Sequence, residues 1–274
     1  MTQPLAIDLF CGLGGWTEGL LAAGYYVVGF DIERHSYDGE CYPGNLVVQD
    51  VLALHGSQFR DASLIVASPP CQEFSYMAMP WSKAKAKAAA IRADKSGIMR
   101  ANLTRLFNAC FRIQSEACEA AGRHIPLVVE NVRGAQEWVG YARWRFGSFY
   151  LWGDVPALMP IAPKAVKVAG FRFDGSGRSF QTAAVRECCK TAGMNWSNRE
   201  LRGQDFTRIA GRQAGLSSRQ DNEGIKQGGD WFNSSEPYIA RRASFRSPAR
   251  KAASAQIAKI PFKLAYHIGR TYLP

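Results

Sequence analysis

The stretch Leu5-Ala6-Ile7-Asp8-Leu9-Phe10-Cys11-Gly12-Leu13-Gly14-Gly15 decides the fold of this chain. Its first six residues predict a short buried strand, its glycines predict a tight turn, and residues 16–23 predict a helix that Gly24 ends. A strand, a glycine-rich turn and a helix form a nucleotide-binding unit. The spacing of Gly12 and Gly14 is a fragment of the dinucleotide fingerprint, so the glycines alone are weak evidence.

Further apolar segments alternate with a helical segment along the first half of the chain. Strands are predicted over 25–30, 46–48, 63–67, 126–129 and 149–152, and an amphipathic helix over 103–121. This alternation favours an α/β fold with a mostly parallel, Rossmann-like sheet and helices on both faces. Four acids lie at or beside predicted strand ends: Asp8, Asp31, Asp50 and Glu130. They mark the edge of the sheet where ligands bind.

One cysteine follows two prolines directly after a predicted strand, in Ala67-Ser68-Pro69-Pro70-Cys71. Each proline fixes its own φ and restricts the residue before it, so Cys71 lies on a stiff loop. A fixed sulfur suits nucleophilic attack. The alternative is a buried, inert cysteine, which is the usual state of a free cysteine.

The composition is that of a globular protein with a basic excess. Of 274 residues, 47% are hydrophobic and 21% charged, and the formal net charge is +11. Such a charge favours a polyanionic partner, most often a nucleic acid, although a solubilising surface charge is the alternative. Seven cysteines without a C-x-x-C pair indicate neither a disulfide framework nor a zinc site, and free thiols favour the cytoplasm. We also expect no signal peptide, no membrane partner and no metal.

The chain changes character after about residue 155. Residues 1–155 are expected to form a cofactor-binding catalytic domain that a C-terminal helical stretch, 252–274, completes. Residues 156–251 begin with spaced prolines and are rich in Arg, Lys, Gly, Ser and Asn, with interleaved aromatic residues. This mixture predicts a small, irregular, basic target-recognition domain that grips phosphates and stacks on bases. A solvated basic domain with its own aromatic core is the alternative.

Three motifs occur in an order and spacing that together resemble the DNA (cytosine-5) methyltransferases. They are the stretch 8–15, Pro70-Cys71-Gln72 and Glu130-Asn131-Val132. The resemblance covers residues 1–155 well. It implies the fold of S-adenosylmethionine-dependent methyltransferases, S-adenosylmethionine as cofactor with S-adenosylhomocysteine as product, and double-stranded DNA as partner. It also implies a monomer that associates with the nucleoid in a prokaryotic or viral setting.

Carried over residue by residue, the resemblance implies a set of cofactor-binding positions: Phe10, Gly12, Leu13, Gly14, Asp31, Ile32, Asp50, Val51 and Pro70. Asp31 would bind the ribose, Ile32 would pack on the adenine and Asp50 would accept from the adenine amino group. Cys71 would be the nucleophile and Glu130 the acid that binds the cytosine.

Two further elements match the family less closely. Arg143-Trp144-Arg145 resembles the family's Arg-x-Arg strand, which binds the cytosine carbonyl oxygen, but it lies close to Glu130; a phosphate contact or surface charge is the alternative for Arg143 and Arg145. Near the C-terminus, Ile257-Ala258 stands where the family has Gly-Asn, before Ile260-Pro261.

The chemistry explains why these residue types are needed. Addition of a thiolate at C6 of cytosine makes C5 nucleophilic, so we expect nearby positive charge to lower the pKa of Cys71. Glu130 would need a raised pKa to donate to N3. Residues 72–87 are predicted to form a loop that closes over the flipped base, or else an exposed helix start with solvated lysines. An RNA (tRNA) cytosine-5 methyltransferase and an inactive DNA-binding relative remain alternatives.

Overall fold

The computed structural model describes residues 2–37, 39–74, 81–161, 255 and 258–274, with the side chains of 81–83 left out. The strands are β1 Leu5–Leu9, β2 Tyr26–Asp31, β3 Ser36–Tyr37, β4 Glu40–Cys41, β5 Asn45–Val48, β6 Ala62–Ala67, β7 Leu127–Asn131, β8 Trp144–Phe146 and β9 Phe149–Gly153. The helices are α1 Gly15–Ala23, α2 Trp81–Ala93, α3 Ile98–Ala121, α4 Gln136–Val139 and α5 Phe262–Thr271.

Seven strands form one sheet in the order β5-β2-β1-β6-β7-β9-β8. The pairs from β5 to β7 are parallel, β9 runs antiparallel to β7, and β8 runs antiparallel to β9. β3 and β4 form a separate two-stranded hairpin. The predicted α/β, mostly parallel, Rossmann-like fold is therefore confirmed. The parallel strands bring the carboxyl ends of β1, β2, β6 and β7 to one edge.

Helices cover both faces of the sheet, and the strand register shows which residues lie on each face. Leu9, Ala67 and Val129 lie in one paired row and belong to the same buried cluster as Phe107 and Ile113 of α3. Side chains alternate along a strand, so Asp8 and its neighbours in register face the other side. There α1 packs, since Thr17 Oγ1 donates to Asp8 Oδ2 over 2.7 Å.

The helix α5 packs closely against α1. A Cβ added at Gly19 would collide with the backbone of Tyr266, and one at Gly269 would lie 2.9 Å from the Ala23 side chain. The Tyr25 hydroxyl, just after α1, donates to the carbonyl of Gly269 over 3.1 Å. Residues 1–161 and 259–274 form one compact unit. The prediction of a second domain over 156–251 falls outside the described residues from 162 onward and stays a prediction.

The structure corrects two expectations about helices. The predicted helix over 103–121 begins earlier, at Ile98. The loop predicted over residues 72–87 is wrong from Trp81 onward, because α2 begins there. Five alanines and three lysines among its first ten residues have high helix propensity, which explains the helix. The alternative of an exposed helix start with solvated lysines fits better, although Lys87 pairs with Glu73.

Candidate functional site

The loop after β6 carries Cys71 at the carboxyl edge of the sheet. Its first residue, Ser68, donates its N–H to the Leu9 carbonyl of β1 over 3.1 Å and accepts from Trp16 Nε1 over 2.9 Å. The N–H of Phe74, a buried residue, donates to the Cys71 carbonyl over 3.0 Å. Both ends of the loop are thus fastened, and Cys71 between them is half-buried.

Glu130 comes from the neighbouring strand, β7. Ala67 at the end of β6 pairs with Val129, so Glu130 is the next residue toward the same edge as the Cys71 loop. Its exposed fraction is 3%. The adjacent Asn131 side chain is fully buried, and its Nδ2 donates to the Pro69 carbonyl over 2.9 Å. The Asn131 side chain therefore fastens the Cys71 loop directly to the strand that carries Glu130.

The loop between β1 and α1 has the backbone conformation that the glycines permit. Gly12 has φ 51 and Gly14 has φ 79, both in the left-handed region that favours glycine. Phe10 also has a positive φ, 58, which is uncommon for a bulky residue and marks a constrained position. A Cβ at Gly12 would meet no atom within 4 Å, whereas one at Gly14 would collide with the Pro43 ring. The loop is therefore packed against Pro43 at Gly14, whereas the space beside Gly12 is open.

Asp31, at the end of β2, is tied to this loop. Its Oδ2 accepts from the Gly12 N–H over 2.9 Å, and its Oδ1 lies 3.4 Å from His35 Nε2. Burial opposes ionisation of this carboxyl, but the hydrogen bonds from His35 and from the Gly12 N–H outweigh it and hold the pKa of Asp31 below its usual range. Asp31 is therefore a fixed carboxylate that faces the glycine loop.

The remaining predicted cofactor positions differ in exposure. Ile32 is 70% exposed beside Asp31. Asp50 is also exposed, and its Oδ1 accepts from the Leu52 N–H over 2.9 Å. Val51 and Leu13 are buried, at 2% and 4%, so they support the site from the core. Pro70 is exposed next to Cys71.

The strand register places Arg145 and Glu130 in different rows of the sheet. Arg145 pairs with Tyr150, which pairs with Asn131, while Glu130 lies in the neighbouring row with Leu151. Alternate rows face opposite sides of a sheet, so Arg145 and Glu130 face opposite sides. β8 is also two strands away from β7, about 10 Å. We assign no catalytic step to Arg143 or Arg145, and a phosphate contact or surface charge remains open for both.

Sequence reasoning missed residues that build the site from elsewhere in the chain. Tyr42 and Pro43 cover the underside of the glycine loop, His35 contacts Asp31, and Lys259 lies between Glu18 and Glu40. The contact of His35 with Asp31 could have been predicted, because the histidine lies only four residues after the candidate carboxylate. The other contacts join segments that are distant in sequence, and no local pattern predicts them.

No group of three or more His, Cys, Asp or Glu side chains within the described ranges is arranged to hold a metal ion. None of the helices in those ranges is both long and apolar enough to cross a bilayer.

The sheet order, the glycine loop after β1 and Asp31 at the end of β2 define a mostly parallel, Rossmann-like α/β fold with a nucleotide-binding arrangement at the carboxyl edge of the sheet. Residues 5–89 match the family model of the C-5 cytosine-specific DNA methylases. This match confirms the family resemblance, and it covers the first two of the three motifs that indicate it. It includes the glycine loop, Asp31 and Cys71, and it ends before Glu130.

Solved structures similar to this chain are methyltransferases. One is named as a DNA modification methyltransferase encoded within an E. coli prophage, with 23% identity and a TM-score of 0.33 over 50% of this chain and 35% of that chain. The S. pombe Dnmt2 methyltransferase has 17% identity and a TM-score of 0.32, over 51% of this chain and 37% of that chain. A Spodoptera frugiperda DNMT2 mutant has 18% identity and a TM-score of 0.32, over 50% and 38%. The chain thus spans less than two fifths of these proteins. No curated protein matches it.

Proposed function

We propose that this chain is a DNA (cytosine-5) methyltransferase that methylates C5 of a flipped-out cytosine in duplex DNA. One observation carries the proposal: the Cys71 loop follows β6, Glu130 lies at the carboxyl end of the neighbouring parallel strand β7, and the Asn131 side chain joins the two. A nucleophile and an acid from adjacent strand ends are what attack on an aromatic ring requires.

Cys71 is the nucleophile in this proposal. Burial, with the nearby charges of Asp8 and Asp31, raises the pKa of the Cys11 thiol far above its usual range, and burial does the same for Cys110. Those two thiols stay protonated and inert, whereas Cys71 is half-buried on a fastened loop. Its thiolate forms a bond to C6 of cytosine, and the displaced electron pair makes C5 nucleophilic.

Glu130 is the acid that binds the cytosine ring. Its carboxyl group donates a proton or hydrogen bond to N3 as negative charge develops there. C5 then takes up the methyl group, a base removes the C5 proton, and the sulfur–C6 bond breaks to restore the aromatic ring. No residue is assigned as that base, and a water molecule is sufficient. Asn131 holds the Cys71 loop in register with Glu130.

The residues around the glycine loop fit S-adenosylmethionine, which supplies the methyl group when bound. The space above Gly12 is open, the Asp31 carboxylate suits ribose hydroxyls, and the exposed Ile32 suits an adenine face. Asp50 is exposed and retains a second carboxylate oxygen for the adenine amino group. Phe10, Gly14, Leu13, Val51 and Pro70 would line or support this site.

Duplex DNA is the proposed substrate because the chain has a net charge of +11 and a basic stretch over 156–251. A base inside the duplex must be swung out before Cys71 can reach C6, which costs roughly a few kcal/mol. Contacts between basic side chains and phosphates supply that energy. Because the candidate recognition region is short, we expect a recognition site of a few base pairs or loose specificity, which bisulfite mapping of a methylated plasmid would test.

The testing experiment follows labelled methyl groups from S-adenosylmethionine into duplex DNA and, separately, into tRNA, with the modified nucleosides identified by mass spectrometry. We expect 5-methylcytosine in DNA with the wild-type protein and none with Cys71→Ser, because serine is a far weaker nucleophile. The matched control is Cys41→Ser, which alters an exposed cysteine on β4 and should keep full activity.

Three results would contradict the proposal in different ways. Label in RNA alone would make the chain an RNA methyltransferase. Full activity of Cys71→Ser would exclude the nucleophile. Tight DNA binding without any product would indicate an inactive DNA-binding relative.

A further inference from the structure

Lys259 lies between two carboxylates, just before α5. Its Nζ is 2.5 Å from Glu18 Oε1 and 3.4 Å from Glu40 Oε2, and its side chain is 9% exposed. A lysine this deeply covered is rare unless it is paired. The ammonium therefore connects three segments that are far apart in sequence: the first turn of α1, the hairpin strand β4 and the segment that leads into α5.

These three segments surround the glycine loop. The backbone of Ile260, next to Lys259, leaves no room for a Cβ at Gly15, the first residue of α1. From the other side Pro43, three residues after Glu40, leaves no room for one at Gly14. The Tyr42 hydroxyl also lies 2.6 Å from Thr17 Oγ1 of α1. The loop is thus held between the β4 side and the C-terminal segment, and Lys259 connects the two sides.

We propose that Lys259 is a positioning residue that, through Glu18 and Glu40, holds the glycine loop in the shape that binds S-adenosylmethionine. The inference rests on the proposed function for the identity of the ligand. Lys259 itself acts through the two carboxylates and need not touch the cofactor. Its charge is the active feature, because it offsets two negative charges that the fold brings together beside the loop.

Electrostatics explain why the loop depends on this residue. Without the ammonium, Glu18 and Glu40 face each other across a partly buried gap, and their repulsion separates α1 from β4. The glycine loop between them would then sample more conformations. The apparent affinity for a ligand falls in proportion to the fraction of molecules whose loop is in the binding-competent conformation. Residues that act on a site without contacting its ligand alter coupling by amounts that correspond to roughly 3- to 30-fold in affinity.

The experiment compares Lys259→Gln with the wild-type protein in two measurements on the full chain. Hydrogen exchange without ligand reports how often residues 12–19 and α5 open, and calorimetry reports the affinity for S-adenosylhomocysteine. We expect faster exchange in both segments and an affinity roughly 3- to 30-fold weaker. In methyl transfer, KM for S-adenosylmethionine should rise by the same factor while kcat stays within about twofold, because Cys71 and Glu130 are untouched.

Three variants complete the design. Lys259→Arg keeps the charge and should restore the affinity to within about threefold. Glu40→Gln weakens the same ion pair from the partly exposed hairpin, and so provides a test if Lys259→Gln folds poorly. Lys95→Gln removes a lysine from the exposed turn between α2 and α3 and should change nothing.

The outcomes separate this inference from the proposed function. Faster exchange with unchanged affinity would show that Lys259 only stabilises the fold, and it would overturn the inference. Unchanged exchange and affinity in both Lys259→Gln and Glu40→Gln would overturn it as well. A wild-type protein that binds no S-adenosylhomocysteine would overturn the proposed function instead, while the exchange comparison would still test whether Lys259 holds the segments together.

Discussion

Asp8 carries a buried carboxyl group between β1 and α1. It is 0% exposed, and its Oδ2 accepts from Thr17, whose hydroxyl also lies against the Tyr42 hydroxyl. Its Oδ1 has no hydrogen-bond partner within the described part of the chain. Burial raises the pKa of Asp8 from 3.8 to about 7, the negative charge of Asp31 adds to the rise, and the hydrogen bond from Thr17 opposes it.

This pKa makes stability depend on pH. The unfolded carboxyl releases its proton near pH 3.8, whereas the folded one keeps it up to about pH 7. The folded state therefore binds more protons in this window, and the free energy of unfolding falls as the pH rises through it. We expect Asp8→Asn to remove this fall, which is on the order of 4 kcal/mol.

Urea denaturation of both proteins between about pH 4 and pH 8 measures the effect. Asp8→Asn should gain stability relative to the wild-type protein as the pH rises and should be the more stable of the two above pH 7. Parallel profiles would show that Asp8 does not titrate in this range. Asp61→Asn, at an exposed carboxyl before β6, is the control and should follow the wild-type profile.

At the scale of elements, α1 and α5 approach closely because both present small residues at the contact. Gly19 of α1 lies against the backbone of Tyr266 and the side chain of Ala265, and Gly269 of α5 lies against Ala23. Helices with such residues pack backbone to backbone, so an added side chain has nowhere to go.

Gly19→Ala tests this packing. The added methyl group would force the helices apart and should destabilise the protein by roughly 1–3 kcal/mol, even though alanine favours helix more than glycine by about 1 kcal/mol. Thermal or urea unfolding measures the change. Ala22→Leu, which enlarges an exposed residue of the same helix, should be close to neutral. A Gly19→Ala protein more stable than the wild type would contradict the contact.

The parallel strands could be predicted well from the sequence, whereas the pairing of the antiparallel strands β8 and β9 could not. β1, β2 and β6 are short, mostly apolar runs, and such a run indicates a buried strand whichever strand pairs with it. The pairing of β9 with β7 depends on chain reversal at Gly147, which the apolar run at 149–153 does not encode. For that reason the register that separates Arg145 from Glu130 could not be foreseen. The α2 helix was readable, because its alanines and lysines favour helix strongly.

The candidate site was predictable to the extent that each residue ends its own strand. Asp31 and Glu130 fall at carboxyl ends in both the sequence and the structure. The Lys259 contacts were not predictable, because Lys259 and Glu40 are 219 positions apart and no periodicity relates them. Contacts of this kind depend on the complete fold.

At the scale of the whole molecule, the net charge of +11 bears on substrate binding. If phosphate contacts dominate, the affinity for duplex DNA should fall steeply with salt, by about a factor of 10³ or more between 50 mM and 200 mM for a protein with six or more such contacts. Fluorescence anisotropy with a labelled duplex measures it. The affinity for S-adenosylhomocysteine, measured at the same salt concentrations, is the control and should change little. DNA affinity that is independent of salt would assign the positive charge to solubility alone.

The packing of α5 on α1 also governs the order in which the molecule assembles. The hydrogen bond from Tyr25 to Gly269 closes a loop of 244 positions, so this contact forms late and pays the entropy of a long closure. During synthesis α1 is made well before α5, so the face of α1 that α5 covers stays exposed until α5 has been made. A nascent chain stalled before residue 262 therefore exposes this face, and an exposed apolar surface of this kind favours aggregation.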